Sequence, residues 1–221
     1  MTGDRPGRDT RPVGFLDMLI DAARQVPSTA DVLRGVRLLA RRIGSAELEA
    51  WADRELSGYP EDGRLPSYRG PYRCEAHVRY RRTPGGVAPG MAPLPQSAFA
   101  EELRDSRLMR VYEVAVVDPV DHLDDLVRAG APLVRPWGGV QIDLINRLID
   151  IGGLDVEPGH TIAAAETRLA GDSVAKVVDS VRSRVLGLAL GLERVAPSAG
   201  DEDGPSSVSP AMHEVITKTL A

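Results

Sequence analysis

The 221-residue sequence predicts an α+β fold, and two patterns of apolar residues indicate it. Near both ends of the chain, apolar residues recur every three or four positions, which is typical of amphipathic helices. Between these ends, residues 72–81 alternate apolar and polar side chains, which is typical of a strand with one buried face. We therefore expect an N-terminal helical hairpin, a small central and mostly antiparallel sheet, and a long C-terminal helix.

The N-terminal part of the chain predicts three helices after a polar head. Residues 1–13 combine Pro, Gly and charge without periodicity, so we predict a disordered head. A first helix starts at Phe15 and is stopped by Pro27. A second helix covers about residues 28–44 and a third about 45–56, and the tight Gly-Ser turn between them favours an antiparallel pair.

Several segments of the middle of the chain predict short elements. Residues 87–96 contain too many prolines for a central strand, so we expect an edge strand or irregular cover. One short helix is expected over 97–105. The pattern of 111–117 fits a strand or a helix, and we favour the strand. A further strand is expected near 160–169.

The second half of the chain predicts helices. Asp118-Pro119 is a helix start, because Asp accepts free amide hydrogens and Pro fits the first helical position, and this helix runs to about Gly130. Another helix is expected over 139–149. A long helix over about 173–193 follows from apolar residues spaced alternately four and three positions apart: Val174, Val178, Val181, Val185, Leu188 and Leu192.

The C-terminal residues differ in composition from the helix before them. Residues 196–210 are rich in Pro, Ser, Gly and acidic residues, and we predict a disordered linker. Residues 211–221 predict a short terminal helix or tail.

Composition and charge limit the class of protein. The formal net charge of −5 argues against a surface built entirely for nucleic acid. The single cysteine, Cys74, cannot form an internal disulfide, and the N-terminus has no apolar signal region. We therefore predict a soluble, cytoplasmic protein. Within an alternating strand, Cys74 is expected to be a small buried apolar side chain rather than a nucleophile.

The stretch ELSGYPEDGRLPSYR, residues 55–69, is unusually rich in turn-forming and aromatic residues. Gly58 can end the third helix and Pro60 prevents its continuation. Tyr59 and Tyr68 each have a large apolar ring that can hold the loop against a core. The residues favour a firmly held chain reversal, and a ligand-binding loop is the alternative.

The same stretch resembles the signature of the AbiTii domain family. Members typically have a helix ending in E-L-x-G-Y-P, a short acidic loop and then L-P-x-Y-R. The run VVDSVRSRVLGLALGLE also resembles the closing pattern of the family, so we expect an AbiTii-like domain over residues 14–195. The candidate binding residues are those of the loop motif: Glu55, Gly58, Tyr59, Pro60, Pro66, Tyr68 and Arg69.

The resemblance implies a bacterial, cytoplasmic role in abortive-infection defence against phage, often as the N-terminal part of a longer chain. It implies no established reaction and no cofactor. Because this chain stops soon after the domain, we expect a separate partner protein encoded nearby. The expected function is therefore a non-enzymatic sensing or adaptor module. Whether the protein is also an enzyme or a homo-oligomer is left open.

The runner-up hypothesis is a nucleic-acid-binding protein or metal-dependent nuclease toxin. Its candidate residues are four arginines near the first strand: Arg73, Arg79, Arg81 and Arg82. Arginine suits phosphate and aromatic rings stack on bases, but alternation sends the arginines and tyrosines to opposite faces. A solvated strand face with acidic neighbours is favoured instead.

The acidic run DPVDHLDD, residues 118–125, is the most enzyme-like cluster of the sequence. Asp121 and Asp125 lie one helical turn apart, so a divalent cation can be imagined between them. Acidic residues in a first helical turn are, however, favoured by capping and by the helix dipole. We predict neither a metal site nor catalytic residues.

Overall fold

The computed structural model describes residues 13–25, 28–61 and 63–220. It confirms the α+β class, with helices at the N-terminus, an antiparallel sheet and a long C-terminal helix. The chain forms two compact units, one from residues up to Ser57 together with those from Ser180 onward, the other from Gly58–Asp179. The predicted head up to residue 12, Pro27 and Asp62 lie outside the described residues.

The described residues form eight α-helices and seven strands. The helices are α1 (Phe15–Arg24), α2 (Thr29–Arg42), α3 (Ala46–Ser57), α4 (Glu101–Arg104), α5 (Val120–Ala129), α6 (Gly139–Asp150), α7 (Gly171–Val195) and α8 (Pro210–Leu220). The strands are β1 (Tyr72–Arg73), β2 (Glu75–Arg82), β3 (Gly86–Val87), β4 (Ala92–Leu94), β5 (Glu113–Val114), β6 (Leu133–Pro136) and β7 (His160–Leu169). None of these helices combines the length and apolar character needed to cross a membrane.

The N-terminal helices form where their periodicity predicts them. Leu16 and Leu19 of α1 are buried, as are Val36 and Leu39 of α2, so each helix turns one apolar face inward. On α3 the buried face includes Trp51, which is only 2% exposed. Helices α2 and α3 pack against each other, which confirms the predicted hairpin.

The main sheet is antiparallel, with the order β3-β2-β7-β6 and β4 also paired to β2. Val78 of β2 lies opposite Ala165 of β7, and both point into a core that Ile145 of α6 also enters. Trp137 donates a hydrogen bond from Nε1 to Oγ1 of Thr167 at 2.7 Å. The Thr167 hydroxyl in turn donates to the carbonyl oxygen of Val111, also at 2.7 Å, so each of these buried polar side chains has a partner.

Helix α7 has the buried stripe that its spacing predicts. In the second unit, Val174 and Val178 pack against Leu133 of β6 and Leu169 of β7. In the first unit, the stripe continues through fully buried residues, and Arg182 donates a hydrogen bond from Nε to Thr29 Oγ1 at 2.7 Å. The long C-terminal helix therefore contributes to both cores.

Two sequence predictions in the middle of the chain need correction. The strand predicted over 111–117 is only Glu113–Val114, because residues 111 and 112 belong to a 3₁₀ helix, Arg107–Tyr112. The hydroxyl of Tyr112 donates to the carbonyl oxygen of Leu94 at 2.8 Å, a distant contact that local alternation does not reveal. The predicted strand over 72–81 is interrupted at Cys74. The sequence pattern also missed β6.

The structure also differs from the linker prediction for residues 196–210. Ala199 is fully buried, and Asp201 Oδ1 accepts a hydrogen bond from the backbone N–H of Phe15 at 2.8 Å. The guanidinium of Arg42 donates to the carbonyl oxygen of Gly200 and lies 5.2 Å from the ring of Phe15. A polar composition predicted a linker, whereas a few contacts to α1 and α2 fix this segment in place.

The terminal helix is present and only partly exposed. Met212 and Ile216 of α8 are each 1% exposed, and Val215 packs against α7. The spacing of Met212, Ile216 and Thr219 by four and three positions is the amphipathic signal that identifies this buried face.

We predict that Gly200→Ala destabilises the protein. Gly200 has a φ of +89°, and an added Cβ would lie 2.7 Å from Phe15 Cδ1 and 2.9 Å from Leu39 Cδ1. Backbone strain and overpacking together should lower the free energy of unfolding by about 1–3 kcal/mol, measured by urea denaturation. Gly90→Ala is the matched control, because a Cβ there meets open space. Equal midpoints for the two variants would contradict the packed position of this segment.

Candidate functional site

The family motif forms a loop, and four of its seven candidate side chains are buried in the structure. Of the seven candidate residues, Glu55, Tyr59, Tyr68 and Arg69 are buried, with Glu55 and Arg69 at 0% exposure. Gly58 and Pro66 are half-buried, and Pro60 is exposed. The motif therefore places few atoms at the surface, as a firmly held chain reversal requires.

Arg69 is the largest fully buried side chain among the described residues. Its Nη1 donates to the carbonyl oxygen of Val116 at 3.0 Å and to that of Asp118 at 2.6 Å. The guanidinium also lies 5.0 Å from the centre of the Tyr59 ring, which suits a cation–π contact. A side chain that sequence analysis assigned to a binding loop thus holds residues 116–118 against that loop.

Backbone contacts reinforce the same junction. The N–H of Tyr59 donates to the carbonyl oxygen of Val117 at 2.8 Å, and the N–H of Val116 donates to that of Arg69 at 2.9 Å. Gly58 has a φ of +87°, and an added Cβ would lie only 2.7 Å from the oxygen of Val117. Glycine is needed here for its left-handed backbone and for this close approach.

The acidic run 118–125 is divided among separate partners. Asp118 pairs with Arg135 of β6 and lies 3.9 Å from His122 Nε2, whereas Asp125 pairs with Arg128 at 2.6 Å. Among the residues that the structure describes, no three His, Cys, Asp or Glu side chains are grouped so that they could hold a metal ion. The capping prediction was wrong in detail, because Pro119 occupies the N-cap position and Asp118 makes no cap hydrogen bond.

The candidate nucleic-acid residues lie at the surface. Arg73, Arg79, Arg81 and Arg82 are all exposed. Tyr80 packs against the core, on the face of β2 opposite to Arg79 and Arg81. The residues of β7 opposite Arg79, Arg81 and Arg82 are Ala164, Thr161 and His160, so none of them carries a carboxylate. The expected acidic neighbours are therefore not found directly across this strand pair.

Cys74 is half-buried, and its Sγ–H donates to the carbonyl oxygen of Tyr72 at 3.2 Å. Burial raises the pKa of this thiol to about 11. Because the thiolate is the nucleophile, a thiol with such a pKa is almost entirely unreactive near neutral pH. The geometry agrees with a packed apolar role.

A groove between α7 and α8 was missed by sequence analysis. It has a volume of about 730 Å³. Gly187, Leu190 and Gly191 of α7 and Val215 of α8 are among the residues that line it. An added Cβ at Gly191 would lie 2.6 Å from Val215 Cγ1, whereas one at Gly187 would meet open space. The two helices therefore touch at one glycine and leave a depression beside the other.

The charged residues that line this α7–α8 groove are mostly basic. Arg184, Arg194 and Lys218 line it together with one acidic residue, Glu214. Leu190 and Val195, which also line it, are 36% and 42% exposed, so the groove includes accessible apolar surface. The sequence gives one indication of this groove, which is the pair of glycines at 187 and 191 with basic residues at 184 and 194. This pattern indicates a groove only when α8 is known to pack against α7.

We predict that Arg69→Met destabilises the fold strongly. Methionine fills much of the arginine volume but leaves the carbonyl oxygens of Val116 and Asp118 without this donor, which should cost about 3 kcal/mol of unfolding free energy. The comparison is with Arg64→Met in the same loop, where the side chain is exposed. Similar urea midpoints for the two variants would show that the buried guanidinium is dispensable.

We predict slow alkylation of Cys74. At pH 8, iodoacetamide should react on the order of 100-fold more slowly with the native protein than with the urea-unfolded chain, whose cysteine has a pKa of about 8.5. The native rate should rise about tenfold per pH unit up to about pH 11. Since the folded pKa is raised, protonation stabilises the native state below the unfolded pKa, and this stabilisation is lost as pH rises towards 11. A rate that levels off below pH 9 would contradict the assignment.

Comparison with known proteins agrees with the loop and helix patterns. The AbiTii family model matches residues 15–217, which includes α1 to α7 and most of α8. The match continues past residue 195, where the sequence pattern placed the end of the domain. No curated protein and no solved structure matches the chain significantly. Because the match spans most of its length, the chain belongs to the AbiTii family, which is associated with abortive-infection defence against phage.

Proposed function

We propose that this protein is a non-enzymatic sensing or adaptor module of an abortive-infection defence system, acting in the cytoplasm by binding a protein partner. Membership of the AbiTii family supports the association with defence. The α7–α8 groove is the observation that supports binding of a protein partner. A concave surface lined by both apolar and charged residues is typical of sites that receive a helix or peptide segment.

The chemistry of the groove indicates the kind of segment it would receive. Its volume of about 730 Å³ lies within the range of ordinary ligand sites. Arg194 and Lys218 are exposed and outnumber Glu214, so a segment with acidic residues beside its apolar anchors is complementary. The partner is therefore expected to present an acidic amphipathic segment.

The loop motif contributes to this role in a limited way. Because Tyr59, Tyr68, Arg69 and Glu55 are buried, we propose that they keep the loop in its conformation. Direct contact with a partner is assigned to Pro60 and Pro66, which reach solvent. Gly58 provides the backbone conformation on which the loop depends.

Nucleic-acid binding remains the second candidate, because Arg79, Arg81 and Arg82 are exposed on one strand end. The residues of β7 opposite these arginines have no carboxylate, so the guanidinium groups are available to bind phosphate. Against this, Tyr68 is buried and Tyr80 packs in the core, so stacking platforms do not accompany the charges.

The proposed function is tested by filling the groove. We predict that the tagged wild-type protein, purified from its native host before and after phage challenge, brings down a protein partner in stoichiometric amount. Gly187→Leu should reduce that recovery at least about tenfold, because the new side chain occupies the depression without meeting a neighbouring atom at its Cβ. Mass spectrometry of the eluates measures the recovery.

The control is Gly90→Leu, which adds the same side chain at another open glycine. Partner recovery that is equal in both variants would remove the groove from the proposal while leaving the adaptor role. Nuclease-sensitive nucleic acid in the wild-type eluate without a protein partner would contradict the adaptor role and favour the arginine strand.

A further inference from the structure

The outward face of α6 carries an apolar stripe that no described part of the chain covers. Val140 and Leu144 of α6 and Ile151, its C-cap residue, are 85%, 48% and 78% exposed. Their spacing places them within about 40° of one another around the helix, with Arg147 between them. The opposite face of α6, which includes Ile145, packs into the core of the second unit. This helix therefore has two apolar faces and buries one.

An aligned stripe differs from scattered exposed residues. Single apolar side chains at the surface are ordinary, whereas several on one face of one helix form a patch that is typical of an interface. Val140 and Ile151 are the most exposed large apolar residues among those described. Covering them would remove apolar area from water on both sides of a contact.

The charges beside the stripe indicate what covers it. Asp143, Arg147 and Asp150 are all exposed, and they follow the stripe in the order acidic, basic, acidic. If two copies of α6 lay parallel and in register, the two Arg147 side chains would face each other. If they lay antiparallel, Arg147 of each copy would lie beside Asp143 of the other. The pattern is thus complementary to itself in the antiparallel arrangement only.

We propose that α6 pairs with α6 of a second copy of this chain, antiparallel, around a two-fold axis between residues 145 and 146. In this register Val140 of one copy faces Ile151 of the other. Leu144 faces the aliphatic part of Arg147, whose guanidinium reaches Asp143. Both ends of the contact are then apolar and its centre carries two equivalent ion pairs, as a two-fold interface requires.

The size of this contact predicts its strength. From Val140 to Ile151 the stripe extends over twelve residues, or roughly 16 Å of helix. One helix pair of this length lies at the small end of protein interfaces, so the dimer is weak and depends on concentration. This pairing does not depend on the α7–α8 groove or on the adaptor role.

The experiment is sedimentation velocity on the whole chain at about 1 to 200 µM, the range in which small interfaces associate. The wild type should shift from monomer to dimer. Val140→Lys and Ile151→Glu should each weaken dimerisation at least about tenfold, because each places an unpaired charge against an apolar side chain twice in the two-fold dimer. The double variant Val140→Lys/Ile151→Glu should recover dimerisation, because the introduced charges face each other twice.

Val87→Lys is the control, since Val87 is an exposed apolar residue of β3 outside the stripe. It should dimerise as the wild type does, and circular dichroism should show all variants folded, as expected for positions this exposed. A wild type that stays monomeric at every concentration overturns the proposal. Association that survives Val140→Lys excludes α6 as the interface. If the single variants weaken association and the double variant does not restore it, the antiparallel register is excluded.

Discussion

A guanidinium group removed from water is the constraint on which much of the second unit depends. Arg69 has no exposed surface, and a buried arginine is tolerated only where its donors find acceptors. Here the acceptors are the carbonyl oxygens of Val116 and Asp118. Asp118 also pairs through its carboxylate with Arg135 of β6. One buried side chain thus connects the motif loop, the start of α5 and an edge of the sheet.

This network gives the family motif a structural meaning. Gly58 brings the loop backbone against Val117, the ring of Tyr59 lies against Arg69, and the hydroxyl of Tyr72 donates to the carbonyl oxygen of Tyr68 at 2.5 Å. These residue types form a chain reversal with little freedom of movement. A surface that binds partners is better sought on elements whose apolar side chains remain exposed, such as α6 and the lining of the α7–α8 groove.

The accuracy of the sequence predictions follows the range of the interactions involved. The helices of the first unit and α7 were predicted because their apolar periodicity is local and lies within one segment. Residues 107–112 and the 196–210 segment were not, because distant partners decide their structure, Leu94 for the first and Phe15 and Arg42 for the second. The same limit applies to the candidate site. The motif residues were identified from the sequence pattern alone. The burial of Arg69 and the groove beside Gly187 could not be predicted, because each depends on segments that are distant in the sequence and adjacent only in the fold.

The two tryptophans of the chain fall one in each compact unit. Trp51 is 2% exposed on α3, and Trp137 is 7% exposed with its indole N–H donating to Thr167. Because indole emission moves to longer wavelength when the ring meets water, each ring is an intrinsic fluorescent label for one core. Replacing either tryptophan with phenylalanine leaves a chain whose emission reports on a single unit. Fluorescence of these two single-tryptophan chains during thermal unfolding therefore shows whether the two cores unfold together or in succession.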